Sequence, residues 1–115
     1  MKPVAQCKSL RTLFASQERW IQGYWGAWRD AEGNIFETDT PGAMPCFCID
    51  GGLNQVYGKG TPAKEKAAKR IKAAIIKLGF RKRLPVENKG GLLSWNGSKR
   101  TKWEHIKAVI HEAHV

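Results

Sequence analysis

Residues 61–79, TPAKEKAAKRIKAAIIKLG, leave the chain less freedom than any other stretch. Thr61 supplies a capping hydroxyl. Pro62 at the first helical position has no N–H to leave unsatisfied and a φ already set for a helix. Gly79 is a natural stop, because glycine enters the left-handed conformation at little cost. Between these marks Ala67, Ile71, Ala74, Ile75 and Leu78 recur at helical spacing, so the pattern predicts a helix from Pro62 to about Leu78 with one apolar stripe. Lys64, Lys66, Lys69, Arg70, Lys72 and Lys77 take the remaining surface, opposed only by Glu65. The chain must therefore bury one side of this helix and leave a cationic side to solvent.

That cationic side continues in sequence. Arg81, Lys82 and Arg83 follow the helix, and Lys99, Arg100 and Lys102 stand near the last predicted element. Residues 1–57 carry five Lys/Arg against six Asp/Glu, and residues 58–115 carry fifteen against four. The net charge of +10 therefore lies in the second half. Such asymmetry points to an acidic partner, either nucleic acid or an acidic protein surface. The plainer account is solubility, since charge keeps small proteins apart. The candidate partner-binding residues are Lys66, Lys69, Arg70, Lys77, Arg81, Lys82, Arg83, Lys99, Arg100 and Lys102. Both groups of cations border turns, so they are candidates for one patch.

A length of 115 residues with 42% hydrophobic residues suits a single domain, residues 1–115, with one core. The rest of the chain predicts short elements around the basic helix. Cys7, Leu10, Leu13 and Phe14 suggest a helix over about 5–15, and Ser16 with Glu18 restarts the chain as a short helical turn before Trp20 and Ile21. Residues 24–29 and 34–37 flank the turn residues Asp30, Gly33 and Asn34 and read as a hairpin. TDTPGAMP reads as loop. Cys48, Gly52 and Val56 beside Ile49, Leu53 and Tyr57 suggest a helix over 46–57. Gly51 and Gly52 then lie mid-helix, at about 1 kcal/mol each relative to alanine, so either another backbone or a ligand approaches closely there or the helix breaks. The stretch reads as a packing helix whose cysteine and glycines let a neighbouring helix come close. GLLSW at 91–95 suggests a short helical turn. Thr101 and Glu104 have the spacing of a capping box before a final helix with Trp103, Ile106, Val109, Ile110 and Ala113 on its apolar face. The expected fold is mainly α, in the α+β class: about four helices and one small β-hairpin.

Three phrases in this order carry a resemblance: Trp20-Ile21-Gln22-Gly23, then Cys48-Ile49-Asp50-Gly51-Gly52-Leu53, then Trp95-Asn96 ahead of the last helix. They resemble a family of small uncharacterised domains of bacteria and their viruses, with the pattern W-x-Q-G, C-x-x-G-A-L and W-N-D, over about residues 7–114. The resemblance implies a fold and a set of packing positions, and no activity. It makes a phage or mobile-element origin, and a host-modulating role, conceivable. Gly52 replaces the family's alanine and keeps a small residue there. Gly97 replaces the aspartate of W-N-D, which weakens a catalytic Asn-Asp pair.

The sharper chemistries have plainer rivals. Cys46 and Cys48 with His105, His111 and His114 are the soft ligands, but C-x-C is a poor zinc spacing. Histidines in a last helical turn also complement the helix dipole. No metal or other cofactor is expected. A cysteine nucleophile would need a lowered pKa, with His105 or His111 as base and Asn96 as orienter. A cysteine on an apolar stripe is more often a small core residue. The five tryptophans, Trp20, Trp25, Trp28, Trp95 and Trp103, offer stacking platforms for bases or simply core and rim, with one of Trp25 and Trp28 left exposed. Asp50 reads as an exposed helix residue. With three cysteines, no apolar run of membrane length and no apolar leader, the expectation is a cytoplasmic protein without a membrane role. The leading reading is a small non-enzymatic protein whose basic helix binds nucleic acid. A protein-binding module that docks on an acidic surface, as an inhibitor would, is the first alternative. A small cysteine-dependent enzyme is the second.

Overall fold

A computed structural model describes residues 2–81 and 89–115. Among them the chain forms five helices and a small antiparallel sheet, in the expected α+β class. The helices are α1 (Leu10–Leu13), α2 (Ile49–Tyr57), α3 (Pro62–Lys77), α4 (Lys89–Gly97) and α5 (Trp103–Ala113). The strands are β1 (Gly26–Arg29), β2 (Ile35–Phe36) and β3 (Met44–Phe47).

The basic helix forms as its ends dictate. The Thr61 hydroxyl accepts from the Lys64 amide at 3.1 Å, Pro62 opens α3, and Gly79 turns away with φ of +78°. Its apolar stripe of Ala67, Ile71, Ala74 and Ile75 is buried, while Leu78 is 38% exposed. Helix α3 packs along α5. The contacts Lys77 to Glu112 and Phe80 to His105 run in opposite chain directions, so the two helices are antiparallel. Leu10, Leu13, Ile49, Leu53, Ile106 and Val109 fill the space between these helices and α1 and α2. Burying side chains of this size contributes about 1.5–3 kcal/mol each.

Several boundaries differ from the sequence expectation, each for a local reason. The first helix is broken. A 3-10 turn at Val4–Gln6 precedes α1, because Ser9 is extended and its hydroxyl accepts from the Thr12 amide, which starts the helix at Leu10. All four apolar residues of the expected stripe are nonetheless buried. The hairpin is present, with Trp28 opposite Phe36. Residues 44–45 are not loop: β3 pairs with β1 along its length, Ala27 opposite Cys46 and Trp28 opposite Pro45. The sheet order is β2-β1-β3. Pro45 is tolerated because β3 is an edge strand, where a missing donor can face away from the ladder.

Cys46 is therefore a strand residue, and α2 starts later than expected. Cys48 is its N-cap, with ψ of 172° and its sulfur accepting from the Gly51 amide at 3.3 Å. The capping residues of α5 are also shifted by one. Thr101 does not cap: it is buried, its amide donates to the Ser98 carbonyl and its carbonyl accepts from Gln22. Lys102 takes the N-cap position, and its amide donates to Nδ1 of His105 at 2.9 Å. The expected turn at 91–95 is the longer α4.

Gly51 and Gly52 do offset their helical cost by close approach. A Cβ on Gly51 would lie 1.9 Å from the Trp25 carbonyl oxygen. A Cβ on Gly52 would lie 2.6 Å from the Phe14 ring. The neighbour at Gly51 is the backbone leading into β1, not a helix. The neighbour at Gly52 is the side-chain cover supplied by α1.

Candidate nucleic-acid interface

Trp20, Gln22, the Ile49 amide and Asn96, far apart in sequence, build one polar joint. Asn96 is 1% exposed at the end of α4. Its Oδ1 accepts from Trp20 Nε1 at 2.8 Å and from the Ile49 amide at 3.0 Å, and its Nδ2 donates to the Ile21 carbonyl at 3.1 Å. It thus satisfies one of the orphan donors at the start of α2. Gln22 Nε2 donates to the carbonyls of Asn96, Ser98 and Thr101 at 2.8, 2.9 and 3.3 Å. These residues hold α2, α4 and the turn at 98–101 in register. Their role here is to fix geometry: with its amide fully engaged in the core, Asn96 is not poised as an orienting group for chemistry.

The same joint positions the cations. The turn at 98–101 carries Lys99 and Arg100, both exposed, and leads into Lys102, also exposed. On α3, Lys66, Lys69, Arg70 and Lys77 are exposed as the helical pattern requires. Lys77 forms an ion pair with Glu112 of α5, which solvent screens because the lysine side chain is 73% exposed. The salt bridge holds Glu112 below the usual carboxylate range, chiefly through the Lys77 hydrogen bond. Lys82 and Arg83 lie outside the described residues.

Two surface assignments change. Lys64 is buried, and its Nζ lies 3.2 Å from Oδ1 of Asp50, itself 3% exposed. Both were expected in solvent. They form a buried ion pair across α2 and α3, so Lys64 belongs to the packing and not to the cationic surface. Lys72 is half-buried, and burial pushes its pKa down, against an opposing influence of Asp50.

The end of α3 and the 98–101 turn meet at a cavity of about 470 Å³ lined by Phe80, Arg81, Trp95, Ser98, Arg100, Thr101 and His105. This is the size range of small-ligand sites. Phe80 stacks on Trp95 with ring centroids 6.3 Å apart and tilts against His105 at 4.9 Å. Arg81 and Arg100 have no carboxylate partner among the described residues. The two basic groups of the sequence are thus brought together by one residue from each. Phe80 and Thr101 were not legible as site residues. The only sequence signal was an aromatic residue directly ahead of the Arg81 cation run.

The thiols give a different picture. Cys7, Cys46 and Cys48 are all buried. Burial pushes the Cys46 and Cys48 thiols up, against the direction that nucleophilic cysteine requires. Among the described residues no group of three or more His, Cys, Asp or Glu side chains is placed to hold a metal ion. No helix of the described residues is long and apolar enough to cross a membrane. Trp25, at 61%, is the exposed member of the hairpin pair of tryptophans.

Neither a curated protein nor a solved structure matches the chain. A family model does, over residues 3–115, nearly its whole length. The joint of Trp20, Gln22, Ile49 and Asn96 gives the family-like phrases a structural meaning, and the chain belongs to the family of unknown function DUF6197.

Proposed function

We propose that this chain is a small non-enzymatic protein that binds nucleic acid through the cations of α3 and of the 98–101 turn. The observation that carries the reading is the convergence of Arg81 and Arg100 on one cavity with no carboxylate of the described residues between them. Bringing two like charges together is unfavourable for folding alone. An anionic partner reverses the sign, and guanidinium groups match phosphate geometry through paired donors. Lys66, Lys69 and Arg70 extend the cationic surface along α3, where neutralised phosphates would release bound counterions. The raised, buried thiols favour this reading over a cysteine-dependent enzyme.

Electrophoretic shifts with duplex and single-stranded probes at low and moderate salt test it. The wild-type protein should retard at least one probe at low salt, and Arg81→Gln/Arg100→Gln should weaken that binding without unfolding the protein. If neither probe shifts at low salt, nucleic acid is not the partner. A second reading then takes precedence, docking on an acidic protein surface. The exposed Trp25 ring and its neighbour Tyr24, 38% exposed, favour it, because aromatic side chains are enriched at protein interfaces.

A further inference from the structure

We infer that the cavity at the end of α3 takes the terminal phosphate monoester of a single-stranded nucleic acid. The inference rests on the proposed nucleic-acid binding and specifies what that site reads. Arg81, just past α3, and Arg100, in the 98–101 turn, both line the cavity and offer two planar donor forks without carboxylate partners among the described residues. His105 supplies a third donor. Its Nδ1 accepts from the Lys102 amide at 2.9 Å, so a neutral ring must carry its proton on Nε2. The nearest carboxylate to that nitrogen is Glu104 at 4.0 Å, whose side chain is 78% exposed and well solvated. Thr101 is 4% exposed and lines the same cavity.

A through-running strand would bring a phosphodiester with one negative charge. A strand end with a phosphate monoester brings about −1.5 to −2 and three acceptor oxygens, which suits three converging donor groups. A cavity of about 470 Å³ is large enough for one nucleotide unit. The Phe80 ring, half-buried and packed against Trp95 and His105, forms the apolar wall of the same cavity. The α3 cations Lys66 and Lys69 then serve the rest of the strand, without regard to its end.

The test uses the full-length chain and short single-stranded oligonucleotides of one sequence with a 5′ phosphate, a 3′ phosphate or hydroxyls at both ends, read by fluorescence anisotropy at fixed salt. One phosphorylated oligonucleotide should bind about tenfold or more tighter than the hydroxyl-ended one, the worth of one charge-assisted hydrogen bond. Arg100→Gln, at an exposed turn position, should abolish that preference. Lys66→Gln/Lys69→Gln should weaken all three probes and keep it. Equal binding of all three probes, or a preference that survives in Arg100→Gln, overturns the inference while leaving nucleic-acid binding in place. Failure of every probe to bind at low salt overturns the inference, and failure of a duplex of the same sequence to bind as well overturns nucleic-acid binding.

Discussion

Gly51→Ala is the most revealing single change in the fold. In an isolated helix it would stabilise by about 1 kcal/mol, since alanine loses less entropy and exposes less backbone. Here the new methyl would sit 1.9 Å from the Trp25 carbonyl oxygen and 2.8 Å from its carbon, where ordinary contact begins at 3.4 Å. The obstacle is backbone, which cannot rotate aside as a side chain can. That carbonyl also accepts from the Cys48 amide at 3.2 Å, so retreat breaks the link between the sheet and the start of α2. Overpacking costs about 1–3 kcal/mol and a stranded buried amide about 1–3 more. Net of the helical gain, Gly51→Ala should destabilise by about 1–5 kcal/mol, a large share of the 5–15 kcal/mol typical of a domain. Urea unfolding followed by tryptophan fluorescence measures it directly. Gly97→Ala is the control, because nothing lies within 4 Å of its Cβ position. Equal stability of Gly51→Ala and wild type would refute the close approach on which the arrangement of sheet and α2 depends.

Three further outcomes follow from the same geometry. Asn96→Ala strands the Trp20 indole N–H and the Ile49 amide in the core and should cost about 3–5 kcal/mol, read from the same unfolding curves. Lys64→Met leaves the Asp50 carboxylate buried without its partner and should cost about 3–5 kcal/mol, with Lys64→Met/Asp50→Leu recovering much of the loss. Cys46 and Cys48 should label slowly with a thiol reagent in the native protein, and the rate should rise only well above neutral pH or on adding denaturant, because burial raises both thiols and favours their neutral form. Rapid labelling at neutral pH would revive the cysteine-dependent reading.

Strong local signals survived folding, and signals that depended on partners did not. Thr61, Pro62 and Gly79 fixed α3 because each acts on its own backbone. The buried stripe of α5 followed from periodicity alone, but its start did not. Thr101 and Glu104 have the spacing of a capping box, yet Gln22, from the other end of the chain, draws the Thr101 carbonyl inward and moves the cap to Lys102. The strand β3 was hidden by Pro45, which marks a break unless the residue sits on a sheet edge. Helical spacing placed Lys64 and Asp50 in solvent, because it registers apolar side chains and cannot see that two opposite charges will be buried together. The cationic groups were visible as composition. That Arg81 and Arg100 share a cavity with Phe80 and His105 depends on the antiparallel course of α3 and α5, which no local pattern encodes.

The most direct test of nucleic-acid binding is the salt dependence of affinity for a single-stranded oligonucleotide. Four to six phosphate contacts should give a slope of log K against log salt of about −3 to −4, at roughly −0.7 per contact. Arg81→Gln/Arg100→Gln should flatten that slope by about 1–1.5 while the unfolding curve stays in place. Binding that is absent at low salt for this probe and for its duplex, or whose slope is the same in the double variant as in wild type, would contradict the assignment of this surface to nucleic acid.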